Sequence, residues 1–383
     1  ALLLDRSGAV GTAGGGRGLA LAIQSSSAEL VEVMLRNRPE LLAADAEGLS
    51  PLALAALSGG PEVLTILLDS GPSDALNDPS DETLVAFAAQ AGSLESTCLL
   101  LAAGAEADRP GRGGETPLHH AARFGRSDLA AVLLAAGAAP GRRRSDGRTP
   151  LHLAAASGDE PLVALLLDAT GTVDPLDDAG VAPLHLAAGE GHVALVRRLI
   201  SAGADPLRAD LRGFDAMCFA AAGGSPDVIA ELLSRQVSPE GPRLPDKDRV
   251  PFPPLLLAVQ GNHRAAAGRL LEAGANLEVR NAAGWTPLML AAYNGNLPVV
   301  ELLLGKGAAL DAADKAGWTA LTAAVRSGSA RTACALLDAG APANPARGPN
   351  LLRIATRAGY KKIARCLKAH GAEDSIDSND PGR

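Results

Sequence analysis

One ten-residue pattern returns along this chain at a fixed spacing. The strings TPLHHAARFG from Thr116, TPLHLAAASG from Thr149, APLHLAAGEG from Ala182 and TPLMLAAYNG from Thr286 are variants of a single unit. With the proline as marker, the slot falls at Gly18, Pro51, Leu84, Pro117, Pro150, Pro183, Ala216, Pro254, Pro287, Ala320 and Leu351. Every step is 33 residues except 38 into Pro254 and 31 into Leu351. Sixteen and seventeen residues after each slot stands an apolar pair, from Met34-Leu35 and Leu67-Leu68 to Leu336-Leu337, and only the last unit, with Leu367-Lys368, breaks it. A period of this length marks a fold assembled from stacked copies of one small unit, none of which buries its apolar face alone.

The physics of the unit is legible residue by residue. Proline in the first turn of a helix gives up no hydrogen bond and arrives with its φ already set, while a preceding Thr supplies a capping hydroxyl. Leu and Ala recur at helical spacing until a Gly such as Gly125 or Gly295 stops the first helix. A second helix carries the Leu pair and closes at a Gly such as Gly71, Gly104, Gly137, Gly203, Gly274, Gly307 or Gly340. The polar, Asp- and Gly-rich residues before the next slot read as a projecting turn or hairpin. Hydrophobic residues make up 47% of the 383 but aromatics only 2%, so the apolar content is mostly Ala, Leu and Val, which suits thin helices in close contact.

The unit resembles the ankyrin repeat, whose core reads T-P-L-H-x-A, and the resemblance runs from residue 17 to residue 372 over about eleven units. It implies an all-α solenoid of stacked antiparallel helix pairs, with β-hairpin or loop fingers at one edge and a concave face made by the fingers and first helices. It also implies a protein-protein interaction module or scaffold that binds a partner segment on that face. The alternative is a targeting or regulatory ankyrin arm of a larger enzyme, ubiquitin-ligase adaptor or channel. In the family the His two residues past the slot, here His119, His152 and His185, bonds backbone groups of neighbouring repeats, which leaves it no metal to hold.

The units divide the chain. Residues 1–16 read as a flexible Gly-rich leader, 17–235 as repeats one to seven, 236–253 as a Pro-rich insertion, 254–372 as repeats eight to eleven and 373–383 as a disordered acidic tail. The insertion holds five prolines and the surplus residues of the long step, so an irregular loop is expected there, acting as a hinge that weakens coupling between repeats seven and eight or as part of a binding surface. The GTAGGGRG stretch from Gly11 follows no apolar strand and lacks a GK[ST] ending, and it reads as leader rather than phosphate loop.

Several function classes fall away. A net charge of −8 disfavours nucleic acid as a general partner. No run is apolar enough over the length needed to span a bilayer. Cys98, Cys218, Cys334 and Cys366 form no CxxC pair, which speaks against a zinc site and against a secreted disulfide framework. Cys98 and Cys334 read instead as small buried hydrophobes on second helices. The expected compartment is intracellular, cytoplasmic or nuclear, with any N-terminal targeting signal lying ahead of Ala1. No nucleophile, base and oxyanion set assembles from these residues, so the chain is read as no enzyme, with no cofactor and no metal. It is expected to be monomeric by itself.

Two groups of residues stand where a partner would reach them. Phe214, Phe252, Trp285 and Trp318 each lie two residues before a slot on consecutive repeats, with Tyr293 and Phe124 at first-helix ends. Aromatics bury large area at low entropic cost and anchor interfaces. The fingers of repeats four and five carry Arg112, Arg142, Arg143, Arg144 and Arg148, with Arg123 at the neighbouring helix end. Guanidinium pairs bidentately with carboxylate. The partner they suit is a protein segment that is both acidic and apolar.

Overall fold

The structure, a computed structural model, describes residues 12–43, 49–58, 60–71, 76–77, 83–242, 252–345 and 349–373. Among them are 22 α-helices and no strand. Contacts divide the chain into two compact units, residues 1–178 and 179–383. The first unit holds five helix pairs: α1 (Thr12–Gln24) with α2 (Ala28–Asn37), α3 (Pro51–Ser58) with α4 (Pro61–Ser70), α5 (Leu84–Ala91) with α6 (Leu94–Ala102), α7 (Pro117–Arg123) with α8 (Ser127–Ala135), and α9 (Pro150–Ser157) with α10 (Glu160–Thr170). The second holds six: α11 (Pro183–Gly189) with α12 (Val193–Ser201), α13 (Ala216–Gly223) with α14 (Pro226–Ser234), α15 (Pro254–Gln260) with α16 (Arg264–Glu272), α17 (Pro287–Tyr293) with α18 (Leu297–Gly305), α19 (Ala320–Ser327) with α20 (Ala330–Asp338), and α21 (Leu351–Arg357) with α22 (Lys361–Ala369).

From Pro51 onward, every slot residue is the first residue of the first helix of its pair. Within each unit, first helices lie against first helices and second against second, as α5 does on α3 and α7, or α18 on α16 and α20. The first helices are buried nearly all round, Pro117 to Ala122 and Pro150 to Ala155 without a break. The second helices bury a narrower stripe, such as Leu129, Ala130 and Leu133 or Val299, Val300 and Leu303, and face water on the other side. Burying one such Leu contributes about 1.5–3 kcal/mol. From Leu67 onward the first member of each pair supplies it, being buried, while the second is half-buried in most repeats; in the first repeat Met34 is half-buried and Leu35 buried.

The structure corrects two expectations. The leader is not an extended segment as far as residue 16, because α1 begins at Thr12; from Gly16 on it packs against α2 and α3, and Gly16 itself is buried. Residues 1–11 lie outside the described residues. The fingers take the turn or loop form of the two that the sequence allows, closed by backbone hydrogen bonds, with no paired strands among the described residues. Across the insertion α13 lies on α15 and α14 on α16, and Val237 is buried. The insertion's residues 243–251, like the tail from 374, lie outside the described residues.

The cysteines are the second correction. Cys98 is exposed, Cys218 is buried, and Cys334 on α20 is joined to Cys366 on α22 by a disulfide, with Cα atoms 5.7 Å apart. Equivalent positions on neighbouring second helices are nearest neighbours, and the 32-residue separation of this pair is one repeat period less a residue. One premise of the intracellular expectation, cysteines without a disulfide, therefore gives way. The crosslink ties the last pair to the one before it across a closed loop of a size that stabilises by about 2–4 kcal/mol.

The histidines past the slot are part of the stacking. The backbone N–H of Thr116 donates to Nδ1 of His119 at 3.1 Å, and an N–H can only donate, so Nδ1 is the acceptor and Nε2 carries the proton. Nε2 then donates to the carbonyl of Arg148 in the next finger, at 3.2 Å. His185 repeats the arrangement with the Ala182 N–H and the Arg208 carbonyl, although Ala182 has no hydroxyl to add. Burial pushes the His119 pKa down to about 4.

Two expected outcomes follow from this packing. As pH falls from 6.5 toward 4, the unfolded chain binds a proton at His119 that the folded chain refuses, so stability is lost over that window, by about 3 kcal/mol if the whole shift is felt. Below it the loss levels off. His119→Met, which places there the residue repeat nine has at Met289, flattens this part of a stability-versus-pH profile read by urea unfolding. Non-reducing peptide mapping finds Cys334 joined to Cys366, and Cys366→Ala speeds amide exchange in α21 and α22 while leaving α7 to α10 unchanged.

Candidate functional site

The finger turns place the residues two before each slot. Six before the slot stands Asp210, Asn281 or Asp314, whose Oδ1 accepts two backbone N–H groups, those of Ala316 and Trp318 at 2.8 Å in the case of Asp314. The same residue closes the turn through its own backbone, Asp314 N–H to Trp318 carbonyl at 3.0 Å and Gly317 N–H to Asp314 carbonyl at 3.1 Å. Gly317 has φ 79°, a left-handed conformation that leaves Gly as the easy choice. Asn281 and Asp210 hold Trp285 and Phe214 in the same way.

A residue so placed meets the one at the end of its own first helix, eight positions on. Trp285 packs edge-on against Tyr293 with ring centroids 5.4 Å apart. Trp318 lies under the guanidinium of Arg326, 4.3 Å from the ring centre. In repeat four the same two positions hold Glu115 and Arg123, which form an ion pair.

In the second unit these contacts join into a shelf. Trp285 and Trp318 lie 6.0 Å apart, and the indole N–H of Trp285 donates to Asp314 at 3.1 Å. The two indoles are half-buried and Tyr293 is 47% exposed. Arg326 forms no ion pair among the described residues, so its guanidinium adds an open charge to an apolar surface. Phe252 is half-buried one repeat earlier. Phe214 differs, because Arg212 covers its ring at 4.7 Å and reaches on to Phe219, which stacks on His185 at 4.8 Å. The sequence reading missed Arg326, Asp314, Arg212 and Phe219. Arg326 occupies the helix position of Tyr293, and that register is the signal that finds it.

In the first unit the arginines are largely engaged by carboxylates of neighbouring fingers. Arg142 pairs with Asp108 at 2.8 Å and Arg143 with Asp178 at 2.8 Å, each reaching a neighbouring finger. Arg144 bonds Glu115 at 2.6 Å and grips both oxygens of Asp146, at 2.7 and 2.5 Å, which holds the Asp146 carboxyl far below the usual carboxylate range. Arg148 reaches the buried Asp177 at 3.1 Å. Glu115 thus serves both Arg123 and Arg144. Arg112 is exposed and forms no ion pair among the described residues. The exposed ring of Phe124 carries Arg126 at 5.5 Å and lines an open cleft with Ser157, Gly158 and Asp159.

These pairs differ in burial, and that decides their weight. Arg144 and Glu115 are each 17% exposed, so Arg144→Ala leaves two carboxylates without their main partner and costs on the order of 1–3 kcal/mol. Arg143 and Asp178 are 50% and 61% exposed, and Arg143→Ala costs under about 1 kcal/mol. Urea unfolding of the two variants side by side checks the ranking, and equal losses would refute it.

Among the described residues no helix is long and apolar enough to cross a membrane, and no three His, Cys, Asp or Glu side chains stand together as a metal ion requires. A comparison with curated proteins gives no match. The family model for ankyrin repeats matches residues 19–110, 85–176, 138–210 and 255–346, well over half of the chain. The match covers repeats on both sides of the insertion. The chain belongs to the ankyrin-repeat family.

Proposed function

We propose that the second unit holds a segment of a partner protein along the line where its fingers meet the ends of its first helices. Ankyrin repeats generally mediate protein-protein interaction. The single observation that supports this surface is the Trp285, Tyr293 and Trp318 cluster, in which the Trp285 ring touches both of the others, at positions the stack does not need for its core. Such rings lose little freedom on binding and bury much area, the properties of interface anchors. Phe252 and Phe214 extend the line toward earlier repeats. The segment is apolar where it meets the rings and carries a carboxylate for Arg326. In the first unit Arg112, Arg142 and Arg143 offer a weaker second contact to an acidic stretch, since Arg142 and Arg143 must exchange carboxylates to make it. The role is that of a scaffold or adaptor inside the cell, without catalysis of its own.

Affinity purification with three forms of the chain tests this reading: wild type, Phe214→Ala/Trp285→Ala/Trp318→Ala, and Arg112→Ala/Arg142→Ala/Arg143→Ala. The aromatic variant loses a partner that wild type recovers, and the arginine variant weakens recovery of the same partner. Full recovery by both variants, with melting curves showing that both are folded, refutes the surface.

A further inference from the structure

The last helix pair has a charge pattern unlike the rest of the chain. Between Ala339 and Ala372 there are seven Lys and Arg and no Asp or Glu, in a chain whose net charge is −8. Four of the cations lie on α22, whose sequence is KKIARCLKA. Lys361, Arg365 and Lys368 stand at i, i+4 and i+7 and so share one helix face, with Lys362 at its edge. All four are exposed, and none forms an ion pair among the described residues. The opposite face carries Ile363 and Leu367, both buried in the stack.

The face is also fixed in place. Ile363 and Leu367 set the rotation of the helix, α22 packs on α20 and α21, and the Cys334–Cys366 disulfide anchors it covalently to α20. The neighbouring acid, Asp338 at the end of α20, is 3.2 Å from His370 and so lies beyond the C-terminal end of the stripe. Like charges held this close repel one another, so a surface of this kind gains by receiving an anion.

We infer that the solvent face of α22 docks a short acidic segment of a partner protein, on residues separate from the aromatic shelf. Three observations select that occupant among anions. From Lys361 to Lys368 the stripe runs about 10 Å, the reach of a few carboxylates rather than of a long polyanion. The exposed side chains of α22 include no large apolar group to enter a bilayer. An extended nucleic acid would run on from this short stripe over a chain that is acidic as a whole. Long-stemmed ammonium groups around one guanidinium match a run of Asp or Glu without demanding one geometry.

Fluorescence anisotropy of a labelled oligo-glutamate peptide titrated with the full chain tests the inference. The peptide binds at low ionic strength and is released as salt rises. Lys361→Glu/Arg365→Glu/Lys368→Glu weakens it by about tenfold or more, whereas Arg264→Glu/Arg269→Glu on α16 changes it less than about twofold. The neutral triple Lys361→Gln/Arg365→Gln/Lys368→Gln gives a smaller loss in the same direction and guards against misfolding of the reversed one. No binding at low salt, equal weakening by the two charge-reversal sets, or tighter binding of a single-stranded oligonucleotide or of phosphatidylserine vesicles through the same residues would overturn it. A shelf variant that loses its partner yet binds the peptide normally separates this result from the proposed function.

Discussion

Everything in these units depends on how closely the first helices approach one another. Inside a unit each is covered by neighbours on both sides, as α5 is by α3 and α7, so its inward positions take only small or well-fitting side chains: Ala88 and Ala89, Ala121 and Ala122, Ala291 and Ala292 are all fully buried. Between α11 and α13 the approach is closer still. A Cβ on Gly223 would stand 1.8 Å from the carbonyl oxygen of Gly189, so that contact exists only because the residue has no side chain. A helix of seven or eight residues is too short to be stable alone in water. Its order comes from this mutual burial, and the capping hydroxyls and bridging histidines register one layer on the next.

That constraint leaves few places where a repeat is free to differ. The finger residue two before the slot and the helix residue six after it face each other outside the packed interior. The chain uses the pair in three chemistries: an ion pair at Glu115 and Arg123, two rings at Trp285 and Tyr293, a ring under a cation at Trp318 and Arg326. The backbone is the same in each case. In the first unit charge at these positions is absorbed by neighbouring fingers, through Glu115 with Arg144 and Arg148 with Asp177. In the second the rings are left partly open to solvent, and burial of that area remains available to a partner.

The fold was legible in the sequence because the period is a property of the chain itself, and a proline that starts a helix does so by local geometry. The same logic explains what was misread. Gly-rich sequence at 13–18 has low helix propensity, a penalty near 1 kcal/mol for each Gly, and local reasoning makes it a leader. Packing outweighs propensity there, with Gly18 in a close contact near Met34 and Leu19 buried. Cys334 and Cys366 were judged by their distance along the chain, whereas in a repeat fold residues one period apart are neighbours. The site was half legible. Counting from the slots located Trp285, Trp318 and Tyr293, but which side chains touch depends on how the finger turns back over the helix end, and that turn is set by Asp314 and Asn281 rather than by the aromatics. The arginines of the middle fingers illustrate the converse, since composition counts charges without showing that Arg144 already holds two carboxylates.

The same distinction separates α22 from the arginine fingers. A finger cation stands within reach of the next finger, one period away, where an Asp or Glu answers it: Asp108 for Arg142, Asp178 for Arg143, Asp177 for Arg148. Second helices answer one another across repeats too, as Glu231 on α14 takes Arg197 from α12 and is held below its ordinary carboxylate range by that bond. For α22 the position one period back is on α20, whose residues are ARTACALLD, with Asp338 its lone acid and that acid beside His370. Lys361, Arg365 and Lys368 therefore have no carboxylate within the repeat register that neutralises cations elsewhere. In a stack where charge is otherwise answered layer against layer, an unanswered layer is a surface open to an acidic segment.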